Sequence, residues 1–325
     1  MPASRSVLVV IPTLNEVSTI EAVIGSLAVE LPADTSVAFV VADGGSTDGT
    51  QDAVRRLGGR YRNLALLANP ARIQSAGVNL AAKVAGTGVN VLIRCDAHAA
   101  YPPGYVRRLL ETLDRTGADA VVVAMDSTGE RNCIQRAAAW ISDTAVGSGG
   151  AAHRGGHRSG FVDHGHHAAF RMASFLRCGG YDEGFTHNED AELDCRLREL
   201  GARIYLDAEI RIGYFPRARL PLVERQYFCY GYGRSRTVKR HPRSLRARQL
   251  AVPLHFAASI AALALAPWWP ALLVWPLLYL AVLVMASIRT AWQHRSACGL
   301  LSGPVAAVMH FSWAAGFAAG LATAR

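Results

Sequence analysis

Residues 90–98 read Asn90-Val91-Leu92-Ile93-Arg94-Cys95-Asp96-Ala97-His98, an apolar run that stops at an Asp-x-His triplet. The short run of branched apolar residues predicts a strand buried in a sheet. Alternate residues of an extended chain point the same way, so Asp96 and His98 are expected to project together. A carboxylate and an imidazole suit Mn²⁺ or Mg²⁺ shared with phosphate oxygens. Alone, such a triplet is more often an aspartate that caps a turn, but two further strand ends favour a ligand site.

A first buried strand is predicted near the start of the chain. Residues 7–11 are all apolar, and Pro12 is expected to end the strand because proline has no N–H for the ladder. Ser18 is placed to cap the following helix, and Glu21, three residues later, completes a capping box. Between the strand and the helix lie the polar side chains of Thr13, Asn15 and Glu16.

A second buried strand is predicted over residues 37–42, and it ends in Asp43-Gly44-Gly45-Ser46-Thr47-Asp48-Gly49-Thr50. The glycines permit a tight turn, and the polar residues supply caps for a helix through Leu57. Strands that alternate with helices build a parallel sheet, and its ligands bind at the edge where the strands end. Acids gathered there fit a site that holds a sugar hydroxyl, a base edge and a metal that neutralises phosphate.

Taken in order, these motifs resemble the family 2 glycosyltransferases of the GT-A fold. Residues 9–16, 43–50 and 96–98 resemble the nucleotide-sugar half of that family, and residues 179–183 and 187–194 resemble its acceptor half. Two further segments, 69–79 and 162–171, narrow the resemblance to the ExoA-type glucosyltransferases of succinoglycan biosynthesis. The resemblance covers residues 5–240 and implies an α/β fold with a mostly parallel sheet flanked by helices.

The resemblance implies a nucleotide-sugar site on the first three strands. Its expected binding residues are Pro12, Thr13, Asn15, Glu16, Asp43, Arg72 and Asp96. Arg72 offers a fork of donors to a phosphate, although without the resemblance it reads as a solvated loop arginine. Asp96 and His98 are the expected ligands of Mn²⁺ or Mg²⁺. Many relatives carry a second acid where this chain has His98, so direct ligation by the histidine stays open.

The acceptor half supplies a candidate general base, Asp190. On spacing alone Asp190 is a helix N-cap, because leucines at helical spacing follow it. The family resemblance favours a base, with Glu189 in support, that deprotonates an acceptor hydroxyl and inverts the anomeric centre. His166 and His167 are expected to shape the acceptor pocket. A zinc site is the alternative for the histidines of residues 153–167, but their spacing fits no standard finger.

The carboxyl-terminal third reads as membrane-spanning. Residues 250–288 contain no Asp, Glu, Lys or Arg, and Pro267-Trp268-Trp269-Pro270 interrupts them. We therefore predict spans at about 250–266 and 271–288, with a third at about 297–322. The glycines Gly316 and Gly320 form a small-xxx-small pair expected to pack on another span. The predicted domains are a catalytic domain over residues 1–235 and a membrane segment over residues 236–325.

Positive charge predicts the orientation of these spans. Seven basic residues crowd before the first span, namely Arg234, Arg236, Lys239, Arg240, Arg243, Arg246 and Arg248. Arg289 and Arg295 flank the loop between the second and third spans, whereas the Trp-Trp turn carries no charge. This pattern predicts a multi-pass protein of the inner membrane with a cytoplasmic catalytic domain. The net charge of +9 predicts binding of anionic lipid headgroups by the basic residues that flank the spans, rather than binding of nucleic acid.

Two smaller features bear on the compartment and the class of enzyme. The six cysteines show no Cys-x-x-Cys spacing and are expected to be reduced, as in other cytosolic domains. A dinucleotide-binding dehydrogenase is excluded because Gly-x-Gly-x-x-Gly is missing after the first strand.

The expected function is addition of one sugar, glucose from UDP-glucose by resemblance, to a polyprenyl-diphosphate-linked saccharide in exopolysaccharide biosynthesis. The product is expected to be β-linked. One alternative is a polyprenyl-phosphate glycosyltransferase, whose acceptor is the lipid phosphate itself. The other is a non-catalytic membrane scaffold that binds a nucleotide sugar.

Overall fold

The computed structural model describes residues 5–323, apart from the side chain of His167. Contacts divide the chain into two compact units, which we call the sheet unit and the helical unit. The sheet unit comprises Met1–Met125 and Gly156–Tyr214, and the helical unit comprises Asp126–Gly155 and Phe215–Arg325. The predicted boundary at residue 235 separates a catalytic domain from a membrane segment. It is a different division from these two units, and it stays a prediction.

The sheet unit begins with strands and helices in strict alternation. They are β1 Arg5–Thr13, α1 Ile20–Leu27, β2 Thr35–Asp43, α2 Thr50–Gly58, β3 Leu64–Ala68, α3 Gln74–Ala85, β4 Val91–Arg94 and α4 Tyr105–Thr116. The four strands pair in parallel in the order β3-β2-β1-β4. The predicted α/β class is confirmed, and β3 is a strand that the sequence analysis did not anticipate.

The rest of the sheet is mixed rather than parallel. The next elements are β5 Ala120–Ser127, α5 Cys133–Ser142, α6 Ala145–Ser148, β6 Gly160–Val162, β7 His166–Arg171, α7 Met172–Arg177, α8 Glu189–Glu199 and β8 Ile204–Tyr214. β7 lies between β4 and β5 and is antiparallel to both, and β8 and β6 complete the sheet of eight strands. The strand β7, which comes late in the chain, thus lies beside β4, the strand that leads to Asp96.

Helices cover both faces of this sheet, which explains the unbroken apolar runs. On β1, Val7, Val9 and Ile11 pack on one face, whereas Leu8 and Val10 pack on the other, and all five are inaccessible to solvent. Successive side chains of a strand point to opposite faces, so a strand covered on both sides is apolar at every position.

Two local predictions about the segment after β1 are wrong. Pro12 does not end the strand, because it pairs in register with Ala42 and the strand continues to Thr13. The expected capping box at Ser18 is also absent, since α1 begins at Ile20 after Thr19 and has no side-chain hydrogen bond at its N-cap.

The helical unit ends with four long helices. These are α9 Leu220–Arg240, α10 Ala247–Leu265, α11 Val274–Gln293 and α12 Ser302–Ala322. Three segments of the described chain are long and apolar enough to cross a membrane: Ala247–Leu265, Pro270–Gln293 and Ala297–Ala322. They coincide with the three predicted spans.

The glycine pair on α12 packs against α9, which is not one of the three candidate spans. A Cβ on Gly316 would lie 2.0 Å from the carbonyl oxygen of Phe228, and one on Gly320 would lie 1.9 Å from Oγ of Ser235. On α9, Gly231 has the reciprocal role beside the carbonyl of Trp313. The expectation of close packing holds, but the expected partner, another span, is wrong.

Two of the six cysteines are joined. Cys133 on α5 and Cys298 in the turn before α12 form a disulfide with their Cα atoms 4.7 Å apart. The expectation that all six cysteines are reduced is therefore wrong for this pair. The remaining cysteines are free.

Candidate active site

The predicted site residues lie where β1, β2 and β4 end at the same edge of the sheet. Thr13 pairs in register with Asp43, and the Gly44 N–H donates to the Thr13 carbonyl at 2.9 Å. Cys95, one residue after β4, donates from its N–H to the carbonyl of Val10. Parallel pairing therefore brings the polar residues that follow β1, β2 and β4 together at one edge of the sheet.

A cavity of about 550 Å³ opens at the ends of β2 and β3. Its lining is Asp43, Gly44, Gly45, Gln51, Arg55, Leu66, Ala68, Asn69, Pro70 and Arg72. Asp43 and Arg72 were predicted here, whereas Gln51, Arg55 and Asn69 were not. Arg72 is exposed and has a left-handed backbone with φ of 59°. Its guanidinium group lies beside Gly45, where an added Cβ would be 3.6 Å from Nη2.

The carboxylate of Asp43 holds the shape of this cavity. It accepts hydrogen bonds from the N–H groups of Gly45 and Ser46, both at 2.9 Å, and from Nε2 of Gln51 at 2.7 Å. Its second oxygen accepts from Oγ of Ser46 at 2.5 Å. The side chain is almost fully buried, so Asp43 fixes the turn after β2 and presents Gln51 at the cavity wall.

Residues after β1 tie this turn to the end of β4. Oδ1 of Asn15 accepts from the N–H of Thr47 at 2.9 Å, and the N–H of Glu16 donates to Oγ1 of Thr50 at 2.9 Å. Oε1 of Glu16 lies 2.9 Å from Nδ1 of His98. Thr13 is buried and donates to the Ile11 carbonyl, so it supports the backbone.

The expectation that Asp96 and His98 lie in one extended segment is wrong. Residues 97 and 98 form a turn, so the chain is not extended there, and His98 pairs with Glu16. Asp96 instead lies 3.4 Å from Nε2 of His166 and 3.5 Å from Nη2 of Arg94. Burial raises the pKa of Asp96, but Arg94 and the two histidines lower it further, so the net pKa is well below the usual range. Asp96 is therefore an anion at neutral pH.

The donor set fits a divalent cation that is completed by substrate. Among residues 5–323, no group of three or more His, Cys, Asp or Glu side chains is arranged to hold an ion. Mg²⁺ and Mn²⁺ at phosphate-transfer sites use one or two carboxylates plus phosphate oxygens rather than a full protein cage. An ionised Asp96 supplies one such carboxylate, whereas His98 is paired with Glu16, so its ligation of an ion stays a prediction.

Arg94 occupies the centre of the site and was not predicted. Its side chain is only 5% exposed. Nη1 lies 2.5 Å from Oδ1 of Asp190, and Nη2 lies 3.3 Å from Oε1 of Glu189 and 2.7 Å from Oε1 of Gln74. The one available signal was an arginine inside an apolar strand, where a charge needs buried partners.

Asp190 and Glu189 lie in the first turn of α8, after Asn188 at the N-cap. Oδ1 of Asp190 accepts from the hydroxyl of Tyr181 at 2.9 Å as well as from Arg94. Burial and the neighbouring Asp190 charge raise the pKa of Glu189 to about 7. Asp190 is thus inside the helix rather than its N-cap, and its Oδ1 is held by two donors.

Two histidines face acids of α8. His166 lies between Asp96 and Asp190, since Nδ1 is 3.9 Å from Oδ2 of Asp190 and Nε2 faces Asp96. His164 donates from Nδ1 to Oδ2 of Asp194 at 2.6 Å. The side chain of His167 lies outside the described part of the structure, so its predicted role stays a prediction. The zinc alternative gains no support from the described side chains.

Comparison with known proteins identifies the family. Residues 8–178 match the family model Glycosyl transferase family 2. The chain belongs to glycosyl transferase family 2. It is 44% identical over 317 residues to the succinoglycan biosynthesis protein ExoA of Rhizobium meliloti (strain 1021), covering 97% of this chain and 94% of that protein. The family resemblance of the motifs is therefore confirmed, and the family 2 chain is a glycosyltransferase.

A solved structure shows the same fold. It is the mannosyltransferase PcManGT from Pyrobaculum calidifontis in complex with GDP-Man and Mn²⁺. The two chains are 20% identical with a TM-score of 0.64, and the match covers 95% of this chain and 88% of that one. This likeness confirms the GT-A fold of the family 2 chain.

Proposed function

We propose that this family 2 glycosyltransferase transfers one glucose from UDP-glucose to a polyprenyl-diphosphate-linked saccharide during assembly of a succinoglycan-type exopolysaccharide. The observation that carries the proposal is the convergence of Asp96, His166 and Asp190 at one strand edge, with His166 within 4 Å of both carboxylates. The 44% identical relative, which is named for succinoglycan biosynthesis, supports the pathway.

On the donor side, the cavity beside Asp43 and Arg72 receives the nucleotide. Asp43 maintains the turn, and the exposed guanidinium group of Arg72 meets the diphosphate. Pro12 and Thr13 shape the floor at the end of β1. Asp96 and His98 would hold Mn²⁺ or Mg²⁺, and the bound ion would neutralise the leaving diphosphate. The structural relative with GDP-Man and Mn²⁺ supports a nucleotide sugar and a divalent ion in this fold.

On the acceptor side, Asp190 serves as the general base. Arg94 and Tyr181 occupy Oδ1, so the lone pairs of Oδ2 are directed to an acceptor hydroxyl. The proton of the acceptor hydroxyl moves to Oδ2 of Asp190. The acceptor oxygen bonds to the anomeric carbon as the bond between that carbon and the diphosphate oxygen of UDP breaks. A single displacement inverts the centre, so an α-linked donor yields a β-linked product. Glu189 and His166 position the acceptor sugar.

The membrane segment accounts for a lipid-linked acceptor. Three candidate spans lie after or at the end of a basic segment at residues 234–248, and the positive charge favours a cytoplasmic location of the catalytic residues at the inner membrane. The chain lacks the Gln-x-x-Arg-Trp pattern of processive polysaccharide synthases, which favours addition of a single sugar.

The test is transfer of radiolabelled glucose by the purified full-length protein. The assay supplies UDP-glucose or GDP-mannose, Mn²⁺ or Mg²⁺, and polyprenyl-diphosphate-linked sugars. We expect incorporation from UDP-glucose, loss of it with a chelator, and loss of at least about 100-fold in Asp190→Asn with UDP binding retained. The matched control is Glu199→Gln, an exposed acid at the far end of α8, which keeps full activity.

Three results would contradict this function. No incorporation with any donor favours a non-catalytic scaffold. Glucose attached directly to a polyprenyl phosphate favours the lipid-phosphate alternative. Full activity of Asp190→Asn places the base elsewhere.

A further inference from the structure

The loop between α7 and α8 brings Tyr181 to the proposed base. Tyr181 is only 3% exposed, and its hydroxyl donates to Oδ1 of Asp190 at 2.9 Å. Burial raises the pKa of Tyr181 well above its usual value, so the hydroxyl keeps its proton and remains a donor. Hydrogen bonds that lock a functional side chain hold it in its productive geometry. The position of this hydroxyl therefore bears on the orientation of Asp190.

Asn79 on α3 binds both backbone polar groups of Tyr181. Its Oδ1 accepts from the Tyr181 N–H at 2.9 Å, and its Nδ2 donates to the Tyr181 carbonyl at 2.8 Å. Because a backbone N–H only donates and a carbonyl only accepts, these two partners also assign the two ends of the amide. A side chain 102 positions earlier thus gives this loop residue the two hydrogen bonds that a neighbouring strand would provide.

The residue before Tyr181 is a glycine that leaves room for this amide. Gly180 has a left-handed backbone with φ of 70°, and a Cβ there would lie 2.6 Å from Oδ1 of Asn79. A larger residue would be strained and would press on the amide that holds Tyr181. From α8, Nη1 of Arg196 donates to the carbonyl of Gly180 at 2.7 Å. Both helices therefore fix the turn that leads to Tyr181.

Aromatic packing accounts for the ring of Tyr181 but not for its hydroxyl. The ring packs edge-on against Phe170 and Phe175, with 6.2 and 5.8 Å between centroids. A phenylalanine would make the same two contacts. The hydroxyl instead accepts from Nη1 of Arg94 at 3.3 Å and donates to Asp190. The polar end of Tyr181 is thus built into the contacts of the proposed base.

The other donor to Oδ1 of Asp190 is held from the same helix. Gln74, the first residue of α3, accepts at Oε1 from Nη2 of Arg94 at 2.7 Å. Through Gln74 and Asn79, α3 therefore contacts both groups that donate to Oδ1. The helix begins two residues after Arg72, which lines the donor cavity. One rigid element thus continues from the cavity wall to the supports of the base.

We propose that Asn79 is a positioning residue for glycosyl transfer, an inference that rests on the role of Asp190 in the proposed function. Asn79 fixes the backbone of Tyr181, Tyr181 places its hydroxyl on Oδ1, and Oδ2 is left for the acceptor hydroxyl. A misplacement of about 1 Å can cost about 100-fold in the rate of the chemical step. Loss of Asn79 therefore lowers kcat and leaves the KM for UDP-glucose unchanged.

The test is a double-mutant cycle on kcat in the full-length protein, with UDP-glucose and the lipid-linked acceptor. We expect Tyr181→Phe, which keeps the ring packing and loses the hydroxyl, to lower kcat about tenfold with an unchanged KM for UDP-glucose. Asn79→Ala should lower kcat by a similar factor. The double variant should also lose about tenfold, rather than about 100-fold, because both substitutions act through the same hydroxyl.

The matched control is Asn63→Ala. Nδ2 of Asn63 also donates to a backbone carbonyl, that of Val37 at 2.7 Å, but near the start of β2, at the opposite edge of the sheet from the site. This variant should lose thermal stability and keep the wild-type kcat. If Asn79→Ala does not fold, as judged by thermal unfolding and UDP binding, Asn79→Asp completes the cycle, since it keeps the acceptor and loses the donor.

Two results would overturn the proposal while the wild type is active. One is a wild-type kcat in Tyr181→Phe. The other is a double variant whose loss is the product of the single losses, because independent effects multiply and Asn79 would then act only on stability. Absence of transfer by the wild type and by Asn63→Ala alike would instead contradict the proposed function, and this inference with it.

Discussion

Arg94 joins the two halves of the candidate site through one buried guanidinium group. It comes from the strand that leads to Asp96, and it pairs with Asp190, which lies 96 positions later in the chain. A buried charge is tolerated only when it is paired with an opposite charge. Arg94 therefore orients Oδ1 of Asp190 and, in the proposed mechanism, leaves Oδ2 for the acceptor hydroxyl.

We predict different outcomes for two substitutions of Arg94. Arg94→Gln leaves Asp190 and Glu189 without a buried cation, so it should cost about 3–5 kcal/mol of stability and abolish transfer. Arg94→Lys keeps the charge but loses the fork, so kcat should fall about tenfold while the KM for UDP-glucose stays unchanged. Steady-state kinetics and thermal unfolding measure both effects, with the exposed Arg62→Gln as control. A wild-type kcat in Arg94→Lys would show that the paired donors of the guanidinium group are not needed to orient Asp190.

At the scale of residues, sequence indicated the acids but not the arginine that organises them. Asp96 and Asp190 were recognisable from motifs and from their places at a strand end and a helix start. Arg94 was not, because its partners are remote in sequence, and an arginine in an apolar run indicates only that buried partners exist, not which residues they are. Contact of Asp43 with the nucleotide stays a prediction, and in the structure the oxygens of Asp43 also hold the turn after β2.

Among the elements, the contact between α9 and α12 is the tightest constraint on the helical unit. The glycines at 231, 316 and 320 let backbone approach backbone. Such contacts replace side-chain packing where helices must come close. The basic helix α9 is thereby fixed to an apolar helix.

We predict that Gly316→Ala destabilises the protein by about 1–3 kcal/mol, because the added Cβ meets the carbonyl of Phe228, which cannot turn away without moving α9. Thermal unfolding in detergent measures the loss. Ala318→Leu, on the exposed face of the same helix, adds more atoms and should be neutral. Equal stability of Gly316→Ala and the wild type would mean that the two helices do not approach so closely.

Which segments form strands and helices was easier to predict than which of these elements pack against one another. Local apolar runs predicted β1, β2, β4 and the three apolar helices, because burial of a strand on both faces, or the length and composition of a candidate span, leaves a local pattern. The insertion of β7 between β4 and β5 leaves no pattern in the local sequence, since strand order depends on contacts between distant segments. The pairing of α12 with α9 was missed for the same reason.

For the whole molecule, the distribution of arginine and lysine predicts a topology that reporter fusions can measure. Alkaline phosphatase fused after Pro270 should be active, since this turn is expected outside the cytoplasm. A fusion after Arg295 should be inactive, and one after Thr323 should be active again because the third span crosses. Green fluorescent protein at the same points should show the opposite pattern. An active fusion after Arg295 would reverse the predicted orientation.

The helix α5 has a consequence for how the chain is made. Its buried residues Ala137, Ala138 and Ile141 pack with Val305 and Met309 of α12, and its Cys133 bonds to a cysteine 165 positions later. On the ribosome, α5 emerges long before the segment that covers it. The nascent chain must therefore shelter an uncovered apolar helix until α12 has been synthesised, and premature termination anywhere before α12 leaves that helix without its partner.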